Sequence, residues 1–381
     1  MDFSLTEDQK MLRTTLRDFA KKELEPVAAK IDQTGEFPTK QFKQMAELGL
    51  MGLTLPEEYG GSGKGMVEFC IAVEELFQTS AAAAEAFRVS LSLAISPIRL
   101  FGTPEQKQRY LVPHAKGEIM ACFALTEAGA GSDPAAIQTT AVRQGNGYLL
   151  NGTKLFISLG AEAKIAVVFA TLDKTLRHKG ITAFIVEQGT PGFTVGKLES
   201  KLGLHGVSAA ELVFENCLVP AENRLGGEGQ GFKVAMDALD ESRVTVAAEA
   251  VGIAQAAFNA ALSYAKQRHQ FGQPLANFQA IQWMLADMAT QIEAARLLTY
   301  QAAYLQDKGL PFVKEAAMAK LYASEMSSFV TNKAIQIHGG YGYVKDYPLE
   351  RYLRDAKITE IYEGTSEMMR LTIARQLIRE S

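Results

Sequence analysis

The sequence predicts an α+β multidomain fold, with an N-terminal α-helical domain over residues 1–118, a middle β-barrel or β-sandwich domain over 119–228 and a C-terminal four-helix-bundle domain over 229–381. Three observations carry this. Up to about residue 118 apolar side chains recur at helical spacing. After that they fall in short alternating runs cut by Gly, Asn and Asp. From Gly231 helical spacing returns in stretches long enough for a bundle. A chain of 381 residues also exceeds what one small core organises, so several packed units are expected.

In chain order, Thr6 and Gln9 form a capping box, and Leu12, Leu16, Phe19 and Leu24 continue as an amphipathic helix. A turn at Gly35 to Pro38 precedes a short helix from Gln41 to Leu48. The glycines between Leu55 and Gly63 read as a loop. Helices are expected at Val67 to Gln78 and Ala82 to Leu100. Thr103 caps a further helix, with Pro104 in its first turn and Gln106 closing the box, that ends before Pro113.

Strands are expected at Met120–Thr126, Thr139–Arg143, Tyr148–Asn151, Lys154–Ser158, Ile165–Thr171, Thr182–Glu187 and Glu211–Phe214. Gln144-Gly145-Asn146-Gly147 is a hairpin signal between two of them. Long helices follow at Phe232–Gln267, Asn277–Lys308 and Pro311–Ile337, then shorter ones at Pro348–Arg354 and Ser366–Ile378. Ala247, Ala248, Ala250 and Ala254 mark a face built for close helix packing, which makes an oligomer plausible.

A net charge of -4 with mixed signs and no basic run argues against nucleic acid as the main partner. Cys70, Cys122 and Cys217 are far apart, and with five scattered histidines they give no metal-ligand spacing, so a reduced compartment and no metal are expected. The start Met1-Asp2-Phe3 leads into acidic residues and lacks a signal or transit pattern. That predicts a cytoplasmic protein if bacterial, or a matrix protein if it is a mature mitochondrial chain. No unbroken apolar run approaches a membrane span.

Four stretches carry candidate chemistry. Thr126 to Asp133 follows a strand, and its glycines let backbone approach a planar or anionic ligand while Thr126 and Ser132 supply hydroxyls; a turn between strands explains the glycines equally well. Arg268-His269-Gln270-Phe271-Gly272 places a cation beside an aromatic, suited to a pyrophosphate and a purine, or else to a helix C-cap. Gln336 to Gly342 ends a helix in three glycines, more than a C-cap uses. Ile361-Tyr362-Glu363-Gly364-Thr365 sets one carboxylate between an aromatic and a glycine just ahead of a helix. It suits a partly dehydrated base, or a first-turn carboxylate favoured by the helix dipole.

In this order and architecture, these stretches together resemble the acyl-CoA dehydrogenase family, in its short- to medium-chain, flavin-dependent form. Asn151-Gly152-x-Lys154, Val219-Pro220-x-Glu222-Asn223, Gly339-Gly340-x-Gly342 and Arg354-Asp355-Ala356-Lys357 add to the match, which spans essentially the whole chain. The resemblance implies FAD, with Phe123, Leu125 and Thr126 lining the ring, Phe156 and Ser158 on its other side, and Gly131 and Ser132 among the cofactor contacts. The family often has Trp and Thr at those last two positions. Arg268, Gln270, Phe271, Gln279, Gln336, Gly339 and Gly340 resemble the residues that hold the ADP half of a neighbouring subunit's FAD, and Thr365 and Glu367 approach the same cofactor. A homotetramer is therefore implied.

Ser132, Asp240, Arg243, Tyr362 and Gly364 resemble contacts to an acyl-CoA thioester, and the family's arginine near the β-domain end is His205 here. Glu363 is the implied catalytic base: it takes the α-proton while hydride leaves the β-carbon, giving trans-2-enoyl-CoA, and electrons pass to electron-transferring flavoprotein. Some members place the base directly before the helix arginine; that position is Ser242, and Glu241 should face elsewhere. Arg88 lies on the helix that lines the family's acyl pocket. It reads either as a partner for a terminal carboxylate, as in dicarboxylyl-CoA (glutaryl-type) dehydrogenases, or as a solvated or CoA-facing side chain. The chain's stop soon after Glu363 favours a dehydrogenase over an oxidase. A non-catalytic flavoprotein scaffold is the reading from another class.

Overall fold

The computed structural model describes residues 4–380; the acidic start read at Met1-Asp2-Phe3 and the terminal Ser381 lie outside them. The first helical layer comprises α1 (Glu7–Phe19), α2 (Glu25–Thr34), α3 (Thr39–Glu47), α4 (Met66–Phe77), α5 (Ala81–Val89), α6 (Ser96–Phe101) and α7 (Pro104–Ala115). Both capping boxes are present, at Thr6 with Gln9 and at Thr103 with Gln106. The expected stop before Pro113 is overturned, because α7 runs on to Ala115. Proline there removes one hydrogen bond, to a carbonyl of the exposed Arg109, within the last turn of an otherwise well-packed helix. The single expected helix from Ala82 to Leu100 is α5 and α6 joined by a wide π-turn at Ser90–Ala94.

The middle unit holds β1 (Ala121–Ala124), β2 (Thr140–Gln144), β3 (Gly147–Ser158), β4 (Ile165–Thr171), β5 (Ile181–Glu187), β6 (Phe193–Leu198), β7 (Ala209–Pro220) and β8 (Arg224–Leu225). Hydrogen bonds link them into one 8-stranded sheet in the order β6-β7-β3-β2-β4-β5-β8, with β1 pairing parallel to β4. The hairpin expected at residues 144–147 is there, with Gln144 opposite Gly147. Tyr148–Asn151 and Lys154–Ser158, expected as two strands, are one strand whose register against β7 shifts between Leu150 and Gly152 and again between Lys154 and Ile157. The second shift places Phe156 at a positive φ of 59° and leaves it 61% exposed.

The last unit contains α8 (Gly231–Gln267), a two-strand ribbon of β9 (His269–Gln270) and β10 (Gln273–Pro274), then α9 (Gln279–Asp307), α10 (Val313–His338), α11 (Leu349–Lys357) and α12 (Ser366–Glu380). α8 is the central post, packed on α4, α9 and α10. Ala247, Ala248, Ala250 and Ala254 are buried as their spacing predicts. At Gly252 an added Cβ would lie 2.6 Å from the Glu74 carbonyl, so α4 and α8 touch backbone to backbone. Two helical stretches, Ala81–Phe101 and Gly231–Gln267, are long and apolar enough to cross a membrane, but 100% and 78% of their apolar windows are buried against the rest of the protein. They are core helices.

Candidate active site

Glu363 is the focus. It sits just before α12 with φ 55°, followed by Gly364 at φ 110°, so both residues occupy the left-handed half of backbone space. For a non-glycine residue this conformation persists only where surrounding contacts hold it. Here two buried cations do so: Arg243 Nε donates to the Glu363 carbonyl at 3.1 Å, and Lys320 Nζ to the Gly364 carbonyl at 2.6 Å. Thr365 Oγ1 accepts from Met368 N and starts α12. Burial lowers the Lys320 ammonium to about 8, although Glu363 pulls it upward.

The Glu363 side chain is 4% exposed. Its Oε1 accepts from Arg88 Nη1 at 3.0 Å, while Oε2 is buried with no hydrogen-bond partner among the described residues. Arg88 is 0% exposed, which overturns the expectation of a solvated or CoA-facing side chain. Its Nε and Nη2 form a fork on Glu85 at 2.8 and 3.0 Å, and Nε also lies 3.0 Å from Glu249. Nη2 meets the Tyr362 hydroxyl at 3.1 Å, and Nη1 meets Thr245 and Ser242 hydroxyls at 3.3 and 3.4 Å. A guanidinium has five N–H donors, and all are spent inside the protein, so a terminal acyl carboxylate would have to displace one of these partners.

Electrostatics explain why so many carboxylates converge. Burial alone would lower the Arg88 guanidinium, but Glu85, Tyr362, Glu363 and Glu249 hold it well above its ordinary range. Burial pushes Glu249 well up and Glu85 up, and Arg88 pulls both back only in part. The Tyr362 hydroxyl, pushed up by burial, donates to Glu249.

Ser242, on the face where a rival base would sit, is buried beside Ser92 and Arg88. Glu241 turns away to Arg99 and Ser96, as its helical phase predicts. Asp240 pairs with Arg243. Sequence reasoning missed Glu85, Glu249 and Lys320. The signal was present: Glu249 is a lone charge inside an alanine run, and Glu85 stands three residues before Arg88 in another.

The β-domain face is built around a buried pair. Lys154 Nζ bonds Glu127 at 2.8 Å and the Leu125 carbonyl at 3.0 Å, and Glu127 accepts the backbone N–H groups of Gln138 and Thr139. Leu155 N donates to Thr126 O at 2.9 Å. The end of β1 and the bulge of β3 are thus tied together. This brings Phe123, Leu125 and Thr126 to the same region as Phe156 and Ser158. Gly131 has nothing within 4 Å of an added Cβ, and Ser132 beside it is exposed.

Farther off, Arg268 caps α8 and stacks over Tyr341, 5.7 Å from its ring centre. Gln270 and Phe271 follow in the ribbon; Phe271 has φ 50° and is 93% exposed. Gln279 opens α9, Gln336 lies in the last turn of α10, and Gly339 and Gly340 form the turn after it. His205 turns to the first helical layer, its Nδ1 3.0 Å from the Asp32 carbonyl, and Arg354 pairs with the same Asp32 at 2.6 Å.

Family models for the acyl-CoA dehydrogenase N-terminal, middle and C-terminal domains match residues 6–118, 122–217 and 229–378. The chain belongs to the acyl-CoA dehydrogenase family. The three-domain fold and the oxidoreductase class expected from the sequence are thereby established.

Acryloyl-CoA reductase (NADH) of Anaerotignum propionicum is 55% identical over 381 residues, covering 100% of this chain and 96% of the relative. Butyryl-CoA dehydrogenase from Megasphaera elsdenii superposes with a TM-score of 0.97 at 46% identity, with 100% of each chain covered. A chain solved in work on the electron transferring flavoprotein of Acidaminococcus fermentans and flavin-based electron bifurcation superposes with a TM-score of 0.98 at 51% identity, again with 100% of each chain covered.

Proposed function

We propose that this acyl-CoA dehydrogenase binds FAD and removes the α-proton of an acyl-CoA thioester with Glu363, yielding a trans-2-enoyl-CoA. The observation that carries the assignment is the buried Glu363 carboxylate with one unpartnered oxygen, presented on a left-handed turn. The positive φ turns the side chain into the interior while the backbone of Glu363 and Gly364 is held from behind by Arg243 and Lys320. A backbone N–H at this turn is available to a thioester oxygen, where it would stabilise the enolate-like transition state.

The residues present fit a flavin. Phe156 is an exposed aromatic next to Leu155, whose N–H bonds the Thr126 carbonyl, and the Gly131 segment has open space in front of it. Bound there, the flavin supplies the acceptor for the hydride that leaves the β-carbon. The protein's share is to hold the thioester, take the proton at Glu363 and keep water out. Phe271, 93% exposed on the ribbon with Arg268 at its base, has the chemistry to hold the adenine and pyrophosphate end of a second subunit's cofactor. A homotetramer built on this exchange is part of the reading, and Gln270, Gln279, Gln336, Gly339, Gly340, Thr365 and Glu367 complete that surface.

Ser132, Asp240, Arg243, Tyr362 and Gly364 are assigned to the thioester and its pantetheine arm. Electron-transferring flavoprotein as acceptor is supported by the likeness to the Acidaminococcus chain. Domain boundaries near 118/119 and 228/229 are supported by the change to strand after α7 and back to helix at Gly231.

The likeness to an acryloyl-CoA reductase favours a second reading, the same site run in reverse with Glu363 returning the proton to the α-carbon. Anaerobic addition of butyryl-CoA, and separately of acryloyl-CoA to the reduced protein, tests both. Bleaching or recolouring of the flavin supports the chemistry, and neither response to any acyl-CoA would leave only the scaffold reading.

A further inference from the structure

Arg88 has no place in the chemistry described above, yet it contacts the Glu363 carboxylate directly. We propose that Arg88 is a positioning residue for Glu363: it ties down Oε1 and so leaves Oε2 as the proton-accepting atom. The inference rests on Glu363 being the base.

The geometry supports this in three steps. A glutamate's terminal torsion is broad and two-fold, so backbone contacts from Arg243 and Lys320 fix where Glu363 starts but not which oxygen it presents. Arg88 Nη1, 3.0 Å from Oε1, removes that freedom. The remaining oxygen is buried without a partner, a costly state that native proteins keep at reactive centres or where a missing ligand completes the contact. An α-carbon bearing an acidic proton is such a ligand.

Arg88 is in turn held by groups that sequence reasoning passed over. Glu85 grips it through a two-bond fork and Glu249 through Nε, so the guanidinium cannot follow Glu363 if the turn shifts. The charged groups facing this cluster are Glu85 from α5, Asp240, Arg243 and Glu249 from α8, Lys320 from α10, and Tyr362 beside Glu363, with Lys201 acting on Glu85 from the middle domain. Glu249 Oε1, like Glu363 Oε2, is buried and unpartnered among the described residues. Three carboxylates, those of Glu85, Glu249 and Glu363, therefore share one cation. Removing Arg88 takes away the cation bonded to the base and so disfavours its charged form.

The test measures solvent-deuterium exchange at the α-carbon of bound butyryl-CoA across pH in the flavin-loaded protein, with kcat and KM alongside. Arg88→Met should slow exchange and kcat by about 10- to 100-fold, the scale of a misplaced reacting group. KM should stay within about threefold, and the acid limb should move to higher pH. Arg88→Lys should return the limb toward wild type without restoring the full rate, because an ammonium lacks the planar fork. Should Arg88→Met fail to fold, Arg88→Gln decides, and its acid limb should likewise move to higher pH. Unchanged limbs in the folded variants would overturn the proposal. Full exchange in Glu363→Gln would instead overturn the assignment of the base, a separate outcome.

Discussion

The guanidinium of Arg88 and the carboxylate of Glu363, 275 residues apart in sequence, meet at 3.0 Å in the interior of the protein. This contact joins α5 to the turn before α12 across the face of α8. Because both side chains are buried and Arg88 is shared with Glu85 and Glu249, it belongs to a cluster whose members respond to one another rather than independently.

The Lys154–Glu127 pair should be the main support of the flavin face. Lys154 is 0% exposed, and its removal would strand a carboxylate that also holds two backbone N–H groups. Lys154→Met should cost about 3–5 kcal/mol, the range for breaking a buried ion pair from one side. Urea unfolding measures this. Adding Glu127→Gln to Lys154→Met should recover part of the loss, and strictly additive losses would show that the two side chains are not coupled.

Gly364→Ala should lose activity for a reason that packing alone does not supply. The added Cβ comes too close to the flexible end of Met369, at 2.6 Å, and makes ordinary contact with Arg243 Nη2 and Met368 Cβ at 3.6 and 3.8 Å, but φ is 110°. A side chain there carries strain of about 1–3 kcal/mol, relieved by moving the Glu363 backbone. Turnover should fall at least about tenfold with a small change in melting temperature. Wild-type turnover in a normally stable variant would show that the turn geometry does not matter.

Lys320 gives a pH signature in stability. Its folded value of about 8 lies below the ordinary 10.5, with burial as the cause. Between these values the unfolded chain binds the proton and the folded one does not, so this residue makes stability rise with pH across that window. Below about pH 8 both states are protonated and the penalty is fully present. In Lys320→Met the rise should be smaller than in the wild type, by up to roughly 3 kcal/mol, the size of a shift of this extent. Urea titrations at both edges of the window measure it, and equal slopes in the two proteins would refute the account.

Arg268→Ala and Phe271→Ala should each weaken flavin retention in the assembled protein. Both residues sit on the exposed ribbon after α8, where a single subunit gives them little to hold. Visible absorbance retained through gel filtration, compared with the wild type, is the measurement. Full retention in both variants would contradict the exchange of cofactor contacts between subunits.

Much of the fold was legible in the sequence because its elements carry strong local signals. The Thr6 and Thr103 capping boxes, the hairpin at residues 144–147 and the alanine face of α8 were each decided within a few residues of chain. The misses have non-local causes. β3 reads as two strands because register shifts interrupt its alternation, and those shifts are set by β7. β6 is almost wholly exposed and shows no apolar alternation. Pro113 is tolerated because it falls in the last turn of its helix.

In the site, Glu363 was visible through its ordered companions along the chain. Glu249 was not, because alanine neighbours made its stretch read as packing alone. Arg88 was seen but its partners were not: Glu85 lies one turn away on α5, a local signal passed over, while Glu249 and Tyr362 reach it from segments that only the folded chain brings together.

The most direct test of the central claim is Glu363→Gln in the flavin-loaded protein, following flavin bleaching by butyryl-CoA without oxygen. Substrate binding and flavin content should be retained while the rate falls by about 10²- to 10⁴-fold, the usual contribution of a positioned base. Bleaching at close to the wild-type rate would contradict the assignment of Glu363.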